Sequence, residues 1–398
     1  MEELSLQEIS LHDLLPRLKN QGYDAARVAS RRAWMEQRCG VELRHIGGDA
    51  FNPELMRGNI ENLIGVAQVP LGIAGPILVR GQHARGLFYV PMATTEGALI
   101  RSYERGAVAL THSGGVQTAV LADENQTAPA FRFPDIESAS RFCEWVPTQF
   151  HELQAAAANT TRHGLLKNVA CYQAGRQVIL NLGFFTGDAQ GMNMIVKATD
   201  AICRWIERNC PGARYLLFSG MCSEKRASGF LMTRGKGKRV TAGAMLTHDV
   251  LRLYLHVTAD QLFRVWQSTV MGHLQAGAIG YNAHAANGLT AIFIATGQDV
   301  ANVVNSACAV TCFEPNSEGL YVSITLPALS VATVGGGTAL PSQSEALTIM
   351  DCHGAGKAKK LAEIVAATLL GGEISMGAAI GAGEFVDAHE QYGRNRPK

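Results

Sequence analysis

Glu96, in ATTEG, is the first residue whose type and setting could do chemistry. It follows an extended apolar piece, Phe88 to Val90, then Pro91, then Thr94 and Thr95, whose hydroxyls could cap a helix beginning near Glu96. In a first helical turn the dipole favours the carboxylate, while apolar burial would raise its pKa and let it donate a proton near neutral pH. The plainer reading is that Glu96 only complements the dipole. Lys225, in Glu224-Lys225-Arg226 after an apolar run, could be a solvated loop charge or an electrophile that polarises a carbonyl. His284, Asn287 and Asp299 stand in an otherwise small and apolar stretch, Gly280 to Val304, where polar groups need partners. His389, a lone histidine near the C-terminus, reads by itself as an exposed residue with no role.

A second set could hold a phosphate. GDAQGMNM, Gly187 to Met194, offers glycines for a tight turn and close ligand approach, and the helix N-terminus that follows can face an anion. Upstream, Thr161 and Arg162 form a polar and basic pair. SVATVGGGTALP, Ser330 to Pro341, places three consecutive glycines after a β-prone run. No G-x-G-x-x-G and no G-x-x-x-x-G-K-[ST] occurs, so neither an ordinary Rossmann fingerprint nor a P-loop is expected.

The elements that must position these residues follow from periodicity and composition. Leu99, Tyr103 with Gly106, and Leu110 recur at helical spacing, with Arg101, Glu104 and Arg105 between them. Residues 1–60, with the basic cluster Arg27, Arg31 and Arg32, read as a helical cap or partner-contacting arm. Asp123 to Pro134 reads as a connection between domains. Ile136 to Ala158 and Met192 to Cys210 are helical in pattern and Gln177 to Phe185 strand-like, which suggests a smaller domain, 129–217, inserted between 61–128 and 218–398. Leu361 to Val386 is interrupted by Glu363, Glu373 and Glu384, so it reads as a buried helix rather than a membrane span.

With 35 Lys and Arg against 34 Asp and Glu, the general electrostatic case for nucleic acid is absent. The start is acidic and amphipathic, without the features of a secretory signal. Nine cysteines without C-x-x-C pairs fit a reducing compartment, and Cys308 with Cys312 has no neighbouring His or Cys to complete a metal site, so no metal is expected.

In combination the chain resembles the 3-hydroxy-3-methylglutaryl-coenzyme A reductase family, in particular the soluble catalytic portion of the eukaryotic and archaeal type. ENLIGVAQVPLGIAGP, VPMATTEG, GDAQGMNM, SG..CSEKRA, GYNAHAAN, GQD and TVGGGT come in that family's order from about Glu61 to Arg394. The resemblance implies an α+β fold: a large α/β domain around a central helix, with an inserted ferredoxin-like domain binding NADP in a non-Rossmann manner. The helix after Glu96 becomes the candidate for that central helix. The implied protein is cytoplasmic, a homodimer or dimer of dimers with sites at the interface, and reduces an acyl-CoA thioester to an alcohol with NADPH.

By the same resemblance Glu96 is the proton donor, Lys225 the oxyanion stabiliser, Asp299 the group that sets the charge states of both, and His389 the acid for the leaving thiolate. Asp188, Gly191, Met192, Asn193 and Met194, with Val334, Gly335 and Gly336, match nicotinamide-binding positions, and Thr161 and Arg162 those against the 2′-phosphate. Ser102 and Arg105 match positions that meet CoA, and His284 and Asn287 fall in the substrate wall, with Ser219 and Arg226 able to help hold the acid.

Departures concern the acyl group. A substrate-facing arginine of the family becomes Thr127, with Arg132 the next basic residue, and a lysine becomes Gln267. Glu224 replaces an aspartate and Tyr392 a histidine, Asn395 stands where animal members carry a phosphorylated serine, and no membrane domain is expected before Glu61. The expected reaction is reduction of 3-hydroxy-3-methylglutaryl-CoA to mevalonate. The alternatives are a paralogue acting on another acyl-CoA, or a non-catalytic CoA-binding protein.

Overall fold

A computed structural model describes residues 24–39, 52–222 and 224–392, with His389 described by backbone alone. The chain divides into a unit spanning Met1–Pro70 and a unit spanning Leu71–Lys398. In the first, the described elements are helix α1 (Ala25–Cys39), which carries Arg27, Arg31 and Arg32, and a single turn at Pro53–Met56. The remainder of the reading for residues 1–60 lies outside the described residues.

The second unit is built on one ten-stranded sheet. Its strands are β1 (Leu71–Gly81), β2 (Arg85–Ala93), β3 (Val116–Thr127), β4 (Ala130–Arg132), β5 (Leu165–Ala174), β6 (Gln177–Phe185), β7 (Arg214–Leu216), β8 (Gly237–Thr247), β9 (Val310–Asn316) and β10 (Gly319–Leu329). The main path runs β7-β4-β6-β3-β8-β10-β9, with β5 beside β6 and the β1–β2 hairpin joined to β3 through β1. Helices α2 (Leu99–His112), α3 (Ile136–Thr148), α4 (Phe150–Ala158), α5 (Met192–Asn209), α6 (Gly229–Arg234), α7 (His248–Val250), α8 (Ala259–Ala276), α9 (Ala285–Thr296), α10 (Val303–Ser306), α11 (Pro341–Ile349), α12 (Ala358–Gly381) and α13 (Phe385–Tyr392) complete it. The α+β expectation holds.

β4, α3 with α4, β5, β6, α5 and β7 form a β-α-β-β-α-β series whose strands lie in the order β7-β4-β6-β5, a ferredoxin-like arrangement. Phe131, Phe142, Leu153, Leu180, Phe184 and Ile202 belong to its own apolar core. The stretch Asp123 to Pro134, expected as a connection, is instead mostly strand. β3 pairs with β8 through Glu124 and with β6 from Asn125 onward, so both neighbours satisfy its backbone.

The central helix of the larger core is α12, and not α2 as expected. Leu361, Ile364, Val365, Leu369, Leu370 and Ile374 on α12 are fully buried, and α2 packs against one side of it. Gly106 of α2 meets Gly371 of α12 so closely that a Cβ on Gly106 would overlap the Gly371 carbonyl. α12 is, among the described residues, the one helix long and apolar enough to cross a membrane, yet 78% of its most apolar window is buried inside the protein.

The acids that interrupt its apolar run each have partners. Glu363 accepts from the backbone N–H groups of His83 (2.9 Å) and Ala84 (2.7 Å) in the β1–β2 turn. Glu373 accepts from Ala283 (2.8 Å) and His284 (2.6 Å) just before α9.

Candidate active site

α2 begins at Leu99, so Glu96 lies in the preceding turn rather than in the first helical turn. The reason is Ala98, held at φ +68° as the residue before the helix, a left-handed conformation that interrupts helical geometry and costs a non-glycine residue about 1–2 kcal/mol. Thr94 Oγ1 accepts from the Glu96 N–H at 3.0 Å and fixes that turn. The exposed Glu96 carboxylate accepts from Asn287 Nδ2 at 3.0 Å.

Glu96, Ser102, Arg105, His284 and Asn287 line one cavity of about 850 Å³. His284 is 8% exposed, and its ring lies 5.0 Å from that of Tyr103. The Tyr103 hydroxyl donates to the His284 carbonyl at 2.8 Å, and a Cβ on either Gly288 or Gly372 would collide with the Tyr103 ring. Tyr103 thus locks α2, α9 and α12 together behind the cavity, and Glu373 holds the start of α9 from below. Neither residue stood out in the sequence. Glu373 showed only as a charge inside an apolar run, and that is the signal that could have found it, since a buried acid requires donors.

Burial pushes the Glu373 carboxyl up to about 7, against the lowering effect of the Ala283, His284 and Ala285 N–H groups. Between its ordinary range and about 7 the folded protein therefore binds a proton that the unfolded chain does not. The Glu373 contribution to stability is largest at low pH and declines as pH rises through that window, by up to about 1.4 kcal/mol per unit. Urea unfolding at pH 5, 6 and 7 should show this slope, and it should flatten in Glu373→Gln, which is also less stable throughout because its amide would face a backbone donor.

Lys225 forms an ion pair with Asp299. Both side chains remain partly open, 40% and 37% exposed, and neither lines the cavity that contains Glu96. The expected joining of Lys225, Asp299 and Glu96 is thus met for the first two. The loop carrying Lys225 is anchored by groups the sequence did not reveal: Lys236, 1% exposed, donates to the Cys222 carbonyl at 2.8 Å, and Asn181 donates to Cys222 Sγ at 3.3 Å. Burial lowers the Lys236 pKa. Glu224 closes the loop by accepting from the Gly220 N–H at 2.8 Å, while Ser219 is half-buried and Arg226 exposed.

The two glycine-rich stretches meet. The Thr333 N–H donates to the Asp188 carbonyl at 2.9 Å, beside Val334, Gly335 and Gly336. The Asp188 carboxylate itself accepts from Gly356 (2.7 Å) and Ala358 (3.0 Å) and so caps α12. Gly191 at φ +73° precedes α5, whose first turn carries Met192, Asn193 and Met194, and a Cβ there would lie 2.8 Å from Thr186. Thr161 Oγ1 accepts from His163 (3.1 Å) and Gly164 (3.2 Å), leaving Arg162 exposed. A Cβ on Gly164 would lie 3.3 Å from Met194 Cε, so the Thr161 turn sits beside the start of α5, and this glycine-lined backbone fits a phosphate-bearing cofactor. His389 lies on α13, and its side chain is outside the described residues. Among the described residues no cluster of His, Cys, Asp and Glu could hold a metal.

Neither Thr127 nor Gln267 lines the cavity that contains Glu96. Thr127 is 1% exposed and its hydroxyl is bonded to that of Thr199 at 2.6 Å, so it faces a protein core. Gln267 is exposed on α8, and Arg132 is exposed on β4.

Comparison with known proteins agrees with this architecture. The chain is 42% identical over 404 residues to the 3-hydroxy-3-methylglutaryl-coenzyme A reductase of Pyrococcus abyssi, covering 99% of this chain and 98% of that protein. It is 44% identical over 374 residues to the Pyrococcus horikoshii enzyme of the same name, covering 92% and 91%. A solved structure of the class II enzyme from Streptococcus pneumoniae bound to NADPH superposes with a TM-score of 0.67 at 20% identity, over 82% of this chain and 79% of that one. The model of the hydroxymethylglutaryl-coenzyme A reductase family matches residues 27–394, and the chain belongs to that family.

Proposed function

We propose that this protein reduces 3-hydroxy-3-methylglutaryl-CoA to mevalonate and free CoA, consuming two NADPH and two protons. The observation that carries the reading is the Lys225–Asp299 ion pair in a chain that also puts Glu96, Ser102 and Arg105 on one cavity wall. NADPH supplies the two hydrides. Lys225, positioned by its ion pair with Asp299, stabilises the oxygen that becomes negative when the thioester carbonyl is reduced. Glu96, oriented by Asn287, supplies a proton to the carbonyl oxygen of the aldehyde stage. His389, on α13, protonates the thiolate as the C–S bond breaks.

In this reading residues 129–217 are the NADP-binding domain, inserted between 61–128 and 218–398, supported by its separate core. Thr161 and Arg162 meet the 2′-phosphate, and Asp188, Gly191 to Met194 and Val334 to Gly336 surround the nicotinamide. Ser219 and Arg226 face the acyl carboxylate. In this reading the protein works as a homodimer and its place is the cytoplasm, the latter supported by the eight free cysteines among the described residues, which suit a reducing compartment.

A second reading, a family member acting on another acyl-CoA, is favoured by Thr127 being bonded to Thr199 and by the uncharged Gln267. Oxidation of NADPH and of NADH with 3-hydroxy-3-methylglutaryl-CoA and with acyl-CoAs lacking a carboxylate separates the two. The primary reading requires turnover with the hydroxymethylglutaryl ester and a preference for NADPH. Turnover confined to uncharged acyl-CoAs would replace it with the second.

A further inference from the structure

Arg105, which faces the cavity from α2, already has its guanidinium engaged within the protein. Its Nε donates to Ser375 Oγ at 3.0 Å, its Nη2 to the Ser375 carbonyl at 2.5 Å, and its Nη1 to Glu384 Oε2 at 3.3 Å. The other Glu384 oxygen lies 2.8 Å from His256 Nδ1. Glu384 therefore bridges two nitrogen-bearing side chains on the cavity wall, and all three residues line the same cavity. The residue before it, Gly383, has φ +75°, and the residue after it opens α13, the helix that carries His389.

From this arrangement we propose that Glu384 is a built-in competitor for the anion seat of Arg105, displaced when the phosphate-bearing portion of a CoA thioester binds. The inference rests on reading the cavity as the acyl-CoA site. The phosphates of CoA together carry more negative charge than one carboxylate, and each can bond the guanidinium in a bidentate fashion, where Glu384 reaches only Nη1. The Arg105–Glu384 pair is partly solvent-exposed, 27% and 39%, so it holds the side chains together only weakly and can be exchanged. Glycine at position 383 supplies a backbone able to turn as Glu384 leaves. The bond thus sets the affinity for phosphate-bearing substrates and tethers the root of α13 when none is present.

The test compares wild type with Glu384→Gln in direct binding of CoA and of pantetheine, which lacks the nucleotide phosphates, each protein being first checked for unchanged thermal unfolding. Removing the internal anion should tighten CoA binding about two- to fivefold and leave pantetheine binding unchanged. Amide hydrogen exchange across Phe385–Tyr392 in the ligand-free protein should be faster in the variant. Unchanged or weaker CoA binding by the folded variant overturns the inference, as does an equal gain for both ligands. Failure of both proteins to bind CoA overturns the cavity reading itself, and with it this inference.

Discussion

Lys225→Met should lower turnover of the acyl-CoA substrate by about 10²- to 10³-fold while leaving the fold intact, because it removes the charged donor from an oxygen that becomes negative only during reduction. Lys225 is 40% exposed and its ion partner is Asp299, so no buried charge is orphaned when the ammonium is lost. The variant should retain its unfolding midpoint and its affinity for NADPH. Asp299→Asn should fall in the same direction, since the neutral amide no longer draws the Lys225 ammonium into the ion pair that positions it. Steady-state rates of NADPH oxidation, with binding measured separately, decide the matter. A Lys225→Met protein as active as wild type would falsify the role proposed for the ion pair.

The largest effect on stability is expected at the α2–α12 crossing. A Cβ on Gly106 would overlap the carbonyl of Gly371, a backbone atom that cannot rotate away, so Gly106→Ala must push two buried helices apart. Overpacking of this kind costs about 1–3 kcal/mol, and more where backbone must shift. Helix propensity acts in the opposite direction, favouring alanine by about 0.8–1 kcal/mol, and is overruled. Gly272→Ala is the matched contrast. It lies on the exposed side of α8 with nothing within 4 Å of the added methyl, so propensity acts alone and the variant should be slightly more stable than wild type. Denaturant midpoints for the two variants should move in opposite directions, and a Gly106→Ala protein as stable as wild type would contradict the crossing described here.

The sequence made some elements readable because local pattern and tertiary need agreed. β6 over Gln177–Phe185 and α5 from Met192 match their periodicity, and the acid-interrupted apolar run became the buried α12. Where the two disagreed, the sequence misled. Nothing local marks Ala98 as left-handed, so the helix was expected to begin at Glu96, three residues before its start. Asn125, Gln126 and Thr127 look like loop residues because their partners are remote: the Gln190 carbonyl at 2.7 Å, the Gly235 carbonyl at 3.0 Å and the Thr199 hydroxyl at 2.6 Å. For the candidate site, residue types and motif order pointed to Glu96, Lys225 and Asp299. The groups that hold the surrounding elements, Tyr103 and Glu373 at the start of α9 and Lys236 under the Lys225 loop, act through contacts between distant segments that no local pattern encodes.

The chain enters the ferredoxin-like portion along a strand and leaves it through a loop, and these two connections differ mechanically. β3 exchanges its partner from β8 to β6 between Glu124 and Asn125 without an unpaired residue, so the entering connection is held by backbone hydrogen bonds throughout. The return connection carries Lys225, and its described residues, 217–222 and 224–228, are in neither helix nor strand. The contacts that anchor this return segment, from Lys236 and Asn181 to Cys222 and from Glu224 to Gly220, therefore do for Lys225 what the sheet does for β3, so the position of the lysine depends on side chains rather than on a backbone ladder.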